Sequence, residues 1–66
     1  MHIVVNDKNL ETSNEATVDL LIEELDLTGR KLAVMVDGEV VRKADFAATR
    51  LTEGCKVEII SMVGGG

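Results

Sequence analysis

One segment of this chain repeats its apolar residues with the period of a helix over two turns: Val18, Leu21, Ile22 and Leu25 fall at i, i+3, i+4 and i+7, while Asp19, Glu23, Glu24 and Asp26 take the other side. An amphipathic helix of this kind must bury its stripe against something, and the rest of the chain offers strands. Thr17 precedes the helix as an N-cap, and Asp19 places a carboxylate in the first turn, where the helix dipole favours it. Gly29 is the expected terminator.

Around the helix lie strand-like runs. His2-Ile3-Val4-Val5 opens as a strand, Asn6-Asp7 turns it, and Lys8 to Glu11 returns as a partner. Leu32 to Val36 and Glu39-Val40-Val41 flank Asp37-Gly38, a pair suited to the two positive φ values of a type I′ hairpin. Ala44 to Thr49 reads as a short helical turn whose Phe46, the only aromatic residue, plugs one end of the core. Glu53-Gly54 then turns into Lys56 to Val63, the longest strand. This order predicts an α+β fold: one sheet covered on one face by one helix. At 66 residues the chain has room for one domain and none for a separate catalytic unit.

The helix covers only one sheet face, so the other meets water or a partner. Alternation in the last strand puts Val57 and Ile59 on one side and Glu58, Ile60 and Met62 on the other. If Val34 and Val36 share the core side with Val57 and Ile59, then Met35, Ile60 and Met62, continued by Val63, form an exposed apolar patch of the kind that marks partner surfaces. Packing filler is the competing reading of the two methionines.

Half of the six glycines are spent elsewhere, on Gly64-Gly65-Gly66 at the C-terminus. Such a segment builds no core, and ordering it costs about 1–2 kcal/mol per residue in backbone entropy. Without Cβ atoms it can thread a narrow channel, and the Gly66 carboxylate has no side chain shielding it. The C-terminus is therefore the candidate reactive group, with residues 1–63 as the folded body and 64–66 as a flexible tail.

A formal net charge of −5 argues against nucleic acid and anionic membrane surfaces as partners, since both reward clustered Lys and Arg, and favours a basic protein partner; Glu23, Glu24 and Asp26 read first as the solvated face of the helix, with docking to such a partner as the alternative. The single cysteine, Cys55, has no partner for an internal disulfide, and no signal peptide or long apolar span precedes the first strand. A reducing, cytoplasmic setting is expected. His2 has no second ligand at metal-binding spacing, and Cys55 has only Lys56 beside it to lower its pKa, so both read as structural. Neither a nucleophile with its base nor a phosphate-binding loop is present in the sequence, which disfavours a catalyst.

Thr17-Val18-Asp19-Leu20-Leu21, Val36-Asp37-Gly38-Glu39-Val40-Val41, Glu53-Gly54-Cys55-Lys56-Val57-Glu58-Ile59-Ile60 and Val63-Gly64-Gly65-Gly66 together resemble the ThiS family, the small sulfur carriers of thiamin thiazole synthesis, over nearly the whole chain. The resemblance implies a ubiquitin-like β-grasp fold. It also implies that a ThiF-like adenylyltransferase uses ATP to adenylate the Gly66 carboxylate, that a cysteine desulfurase or similar donor supplies sulfur to make a thiocarboxylate, and that a ThiG-like thiazole synthase accepts it. The chain itself would bind no cofactor. Gly65 and Gly66 are then the functional pair and Gly64 a spacer. Two departures stand out: Cys55 where relatives commonly carry an acidic residue, and three terminal glycines where two suffice. Rival readings are a MoaD-like carrier that supplies molybdopterin synthase, a ubiquitin-like modifier joined through Gly66 to lysines, and a β-grasp binding module with an irrelevant tail.

Overall fold

The structure, a computed structural model, describes residues 1–62. In chain order the elements are strand β1 (His2–Val5), strand β2 (Lys8–Glu11), helix α1 (Val18–Glu24), strand β3 (Leu32–Val36), strand β4 (Glu39–Val41), a 3-10 turn (Lys43–Asp45) and strand β5 (Lys56–Ser61). They form one five-stranded sheet in the order β2-β1-β5-β3-β4. The central pair β1 and β5 is parallel, and the other pairings are antiparallel, so the sheet is mixed. This is the expected α+β arrangement, with the last strand lodged in the middle of the sheet.

The covered face carries the core. Ile3, Val18, Leu21, Val34 and Val57 are its largest fully buried side chains, each contributing about 1.5–3 kcal/mol by leaving water. Val34 pairs with Ile59, and Val36 pairs with Val57, so the expected core side of β3 and β5 is the observed one. Phe46 is buried, as expected, although the 3-10 turn spans Lys43–Asp45 rather than starting at Ala44.

Both hairpins turn on two residues with positive φ: Asn6 at 49° with Asp7 at 68°, and Asp37 at 50° with Gly38 at 86°. The first residue of each turn also reaches across to β5. Asn6 Nδ2 donates to the Ile59 carbonyl (3.1 Å) while Ile59 N–H donates to Asn6 Oδ1 (2.9 Å). Lys56 N–H donates to Asp37 Oδ1 (2.9 Å), and Asp37 N–H donates to the Lys56 carbonyl (2.7 Å).

Three of the free N–H groups at the helix start are used. Thr17 Oγ1 caps by accepting from Leu20 N–H (3.2 Å), Val18 N–H donates to the Thr49 carbonyl (3.0 Å), and Asp19 N–H donates to the Phe46 carbonyl (3.1 Å). The helix end differs from the expectation at Gly29. Asp26 takes the left-handed position (φ 60°), with Asp26 N–H bonded to the Glu23 carbonyl (3.0 Å) and Leu27 N–H to the Ile22 carbonyl (2.9 Å). That pair of bonds is a Schellman motif, which closes the helix one turn before Gly29.

Candidate functional site

Directly paired residues in a sheet point to the same face, so the register defines the uncovered surface. Met35 lies opposite Val40 on one side and Glu58 on the other, and Ala33 lies opposite Ile60. Val40 is 72% exposed and Ile60 and Met62 are each 55% exposed, whereas Met35 is half-buried between its neighbours. The expected patch of Met35, Ile60 and Met62 therefore forms on the open face. It also gains Val40, which the sequence reading left out. The signal was present: a two-residue Asp37-Gly38 turn pairs Val36 with Glu39 and hence Met35 with Val40.

Met62 follows the end of β5 and is the last described residue. Its N–H donates to the Lys31 carbonyl (2.9 Å), which extends the pairing of β5 with the β3 side by one residue. The patch thus runs up to the last described residue. The expectations placed on Val63, Gly64, Gly65 and Gly66 lie outside the described residues.

The remaining candidates have structural surroundings. Cys55 is 4% exposed and sits immediately before β5, away from the open-face patch, with its carbonyl accepting from Val4 N–H (2.9 Å). His2 stands at the start of β1, its Nε2 2.8 Å from Asn9 Oδ1 and its backbone N–H donating to Glu53 Oε1 (3.1 Å). These contacts tie β1 to β2 and to the turn before β5. Glu23, Glu24 and Asp26 are exposed around the end of α1. Among the described residues, no three His, Cys, Asp or Glu side chains gather as a metal site, and no helix is long and apolar enough to cross a membrane.

One mixed five-stranded sheet in the order β2-β1-β5-β3-β4 with a single helix is the ubiquitin-like β-grasp arrangement. The model described as the ThiS family matches residues 2–66. A thiazole synthase of Paramagnetospirillum magneticum is 36% identical over 66 residues, which is 100% of this chain and 20% of that protein. The chain thus spans about a fifth of that relative's length. The uncharacterized protein ycf40 of Porphyra purpurea is 28% identical over 64 residues, covering 97% of this chain and 90% of its own. The crystal structure of the thiamine biosynthesis protein ThiS from Geobacter metallireducens superposes with a TM-score of 0.85 at 29% identity, covering 100% of both chains. A solution structure of a thiamine biosynthesis protein from the same organism gives 0.80 at 29% identity, covering 100% of this chain and 88% of that one. The chain belongs to the ThiS family.

Proposed function

We propose that the Gly66 carboxylate of this carrier is adenylated with ATP by a ThiF-like adenylyltransferase and then exchanges AMP for sulfur, so that the resulting thiocarboxylate feeds a ThiG-like thiazole synthase in thiamin biosynthesis. The observation that carries the reading is the extent of the family match, which runs through the body and on to Gly66. A carboxylate is a poor electrophile. Joining it to AMP supplies the leaving group: sulfide displaces AMP to give the thiocarboxylate directly, whereas a persulfide, the form in which a cysteine desulfurase delivers sulfur, gives an acyl disulfide that a second thiol cleaves to thiocarboxylate and a disulfide. The thiazole synthase whose sequence includes a segment similar to this whole chain supports a synthase of that kind as the acceptor.

In this reading the body supplies recognition and the C-terminus supplies chemistry. The open-face patch of Met35, Val40, Ile60 and Met62 meets the partner, while Gly65 and Gly66 enter its site with Gly64 as spacer. All these steps belong to the cytoplasm. Intact mass after incubation with a ThiF-like enzyme, ATP and a sulfur donor tests the proposal. The expected result is the exchange of one oxygen for sulfur at Gly66, absent from a copy lacking Gly65 and Gly66. Neither adenylate nor thiocarboxylate forming with a competent enzyme would overturn it.

A further inference from the structure

The chain is acidic as a whole, yet four of its seven Lys and Arg residues border the end of the sheet at which Met62, the last described residue, lies. Arg30 and Lys31 precede β3, Arg42 and Lys43 follow β4, and all four are exposed. Antiparallel pairing brings these two places to the same end of the sheet: the start of β3 lies beside the end of β5 through Leu32 and Ser61, and β4 ends at Val41 opposite Val34, two residues in from the start of β3. The Lys31 carbonyl accepts from Met62 N–H, so the cationic segment touches the last described residue.

Arg30 and Lys43 also line one open cavity of about 300 Å3, with apolar walls from Leu27, Leu32 and Phe46 and with Asp19 as the one carboxylate among its lining residues. Arg42 is engaged with Asp45 at 3.8 Å, but Arg30, Lys31 and Lys43 form no salt bridge among the described residues. With one guanidinium and one ammonium group against one carboxylate, the lining of this cavity carries net positive charge in a chain of net charge −5.

We propose that this cationic collar is the docking surface for an acidic rim on the enzyme that activates Gly66, with an Asp or Glu side chain of that enzyme seated between Arg30 and Lys43. The inference rests on the carrier reading. Four residues after Met62 extend roughly 14 Å at most. An enzyme that draws Gly66 into its site must therefore press the mouth of that site against this end of the sheet. The charge of the collar selects an acidic mouth and disfavours a basic one. This is the opposite of the basic partner suggested by the net charge and by Glu23, Glu24 and Asp26.

The test measures ATP-dependent pyrophosphate release by a ThiF-like adenylyltransferase against carrier concentration, at low and at raised ionic strength. Three double variants are compared: R30E/K43E, K8E/K56E with the same change in net charge away from the collar, and E23K/E24K. Equal urea midpoints exclude misfolding, and R30Q/K43Q serves as a milder form of the first. The collar predicts a KM raised about tenfold at low salt for R30E/K43E, shrinking as salt screens it, with kcat retained. It predicts a smaller rise for R30Q/K43Q and none for K8E/K56E. Equal effects of R30E/K43E and K8E/K56E would reduce the collar to net charge. A lower KM for R30E/K43E with a higher one for E23K/E24K would assign a basic rim; either result overturns the proposal. If the wild-type chain is bound but never adenylated, the carrier reading fails separately, and the same variants titrated for binding to the enzyme decide the collar by the same ordering.

Discussion

Asn6 combines two demands on one residue. It occupies a left-handed turn position, where most side chains are strained, and its amide bonds both the N–H and the carbonyl of Ile59, 53 residues away. The β1–β5 ladder pairs Val5 with Val57, and the Asn6 side chain continues the connection one step further. Asn6→Ala removes both bonds and strains the turn, so a loss of about 2–4 kcal/mol is expected in urea denaturation. Asn6→Gly relieves the turn but not the bonds, and should recover about 1–2 kcal/mol of that loss. Equal midpoints for the two variants would show that backbone strain contributes nothing here. The turn itself was legible in Asn6-Asp7, because these residue types tolerate positive φ. The reach to Ile59 was not, because it depends on β5 inserting beside β1, and no local pattern encodes that insertion.

Among the elements, α1 is too short to stand alone: its seven residues amount to two turns, and isolated helices shorter than about 12–15 residues are marginal. Its stability comes from Val18, Leu21 and Ile22 on the sheet and from the cap at Thr17. Thr17→Ala should cost about 1 kcal/mol and Leu21→Ala about 2–5 kcal/mol in urea denaturation, with the order reversed if capping rather than packing dominates. The start of the helix was legible because cap, first-turn acid and apolar period all agree at Thr17 to Val18. The end was not. Gly29 invited a stop, whereas the helix closes at Asp26, a residue that adopts the left-handed position less readily than glycine. Asp26→Gly should therefore stabilise the domain by up to about 1 kcal/mol, and an equal loss would mean that the Asp26 side chain contributes something beyond its backbone conformation.

At the scale of the whole molecule, the pairing order joins two surfaces that are distant in sequence. Met35 and Val40 come from one hairpin and Ile60 and Met62 from the final strand, and they become one face because β3 lies between β4 and β5. Strand alternation made most of this face legible; Val40 escaped because its neighbours in β4 gave no alternation to read. The same order places the face beside Met62, the last described residue, and in the proposed reading recognition and reaction are thereby separate properties of one small domain. The two should then fail independently. Ile60→Asp and Val40→Asp put a carboxylate into a surface that binding dehydrates, so each should weaken capture by the activating enzyme by about 2 kcal/mol, or more than tenfold in Kd. Their urea midpoints should stay close to wild type, since both side chains are exposed. Removing Gly65 and Gly66 should do the opposite: the body still competes with intact carrier for the enzyme, but no adenylate or thiocarboxylate forms. Titration calorimetry for binding and intact mass for chemistry measure the two properties on the same samples. If the truncated chain no longer competes, the glycines themselves supply most of the affinity. If Ile60→Asp binds as tightly as wild type, the open face has no part in the complex, and recognition must lie with the sheet end that carries Arg30 and Lys43.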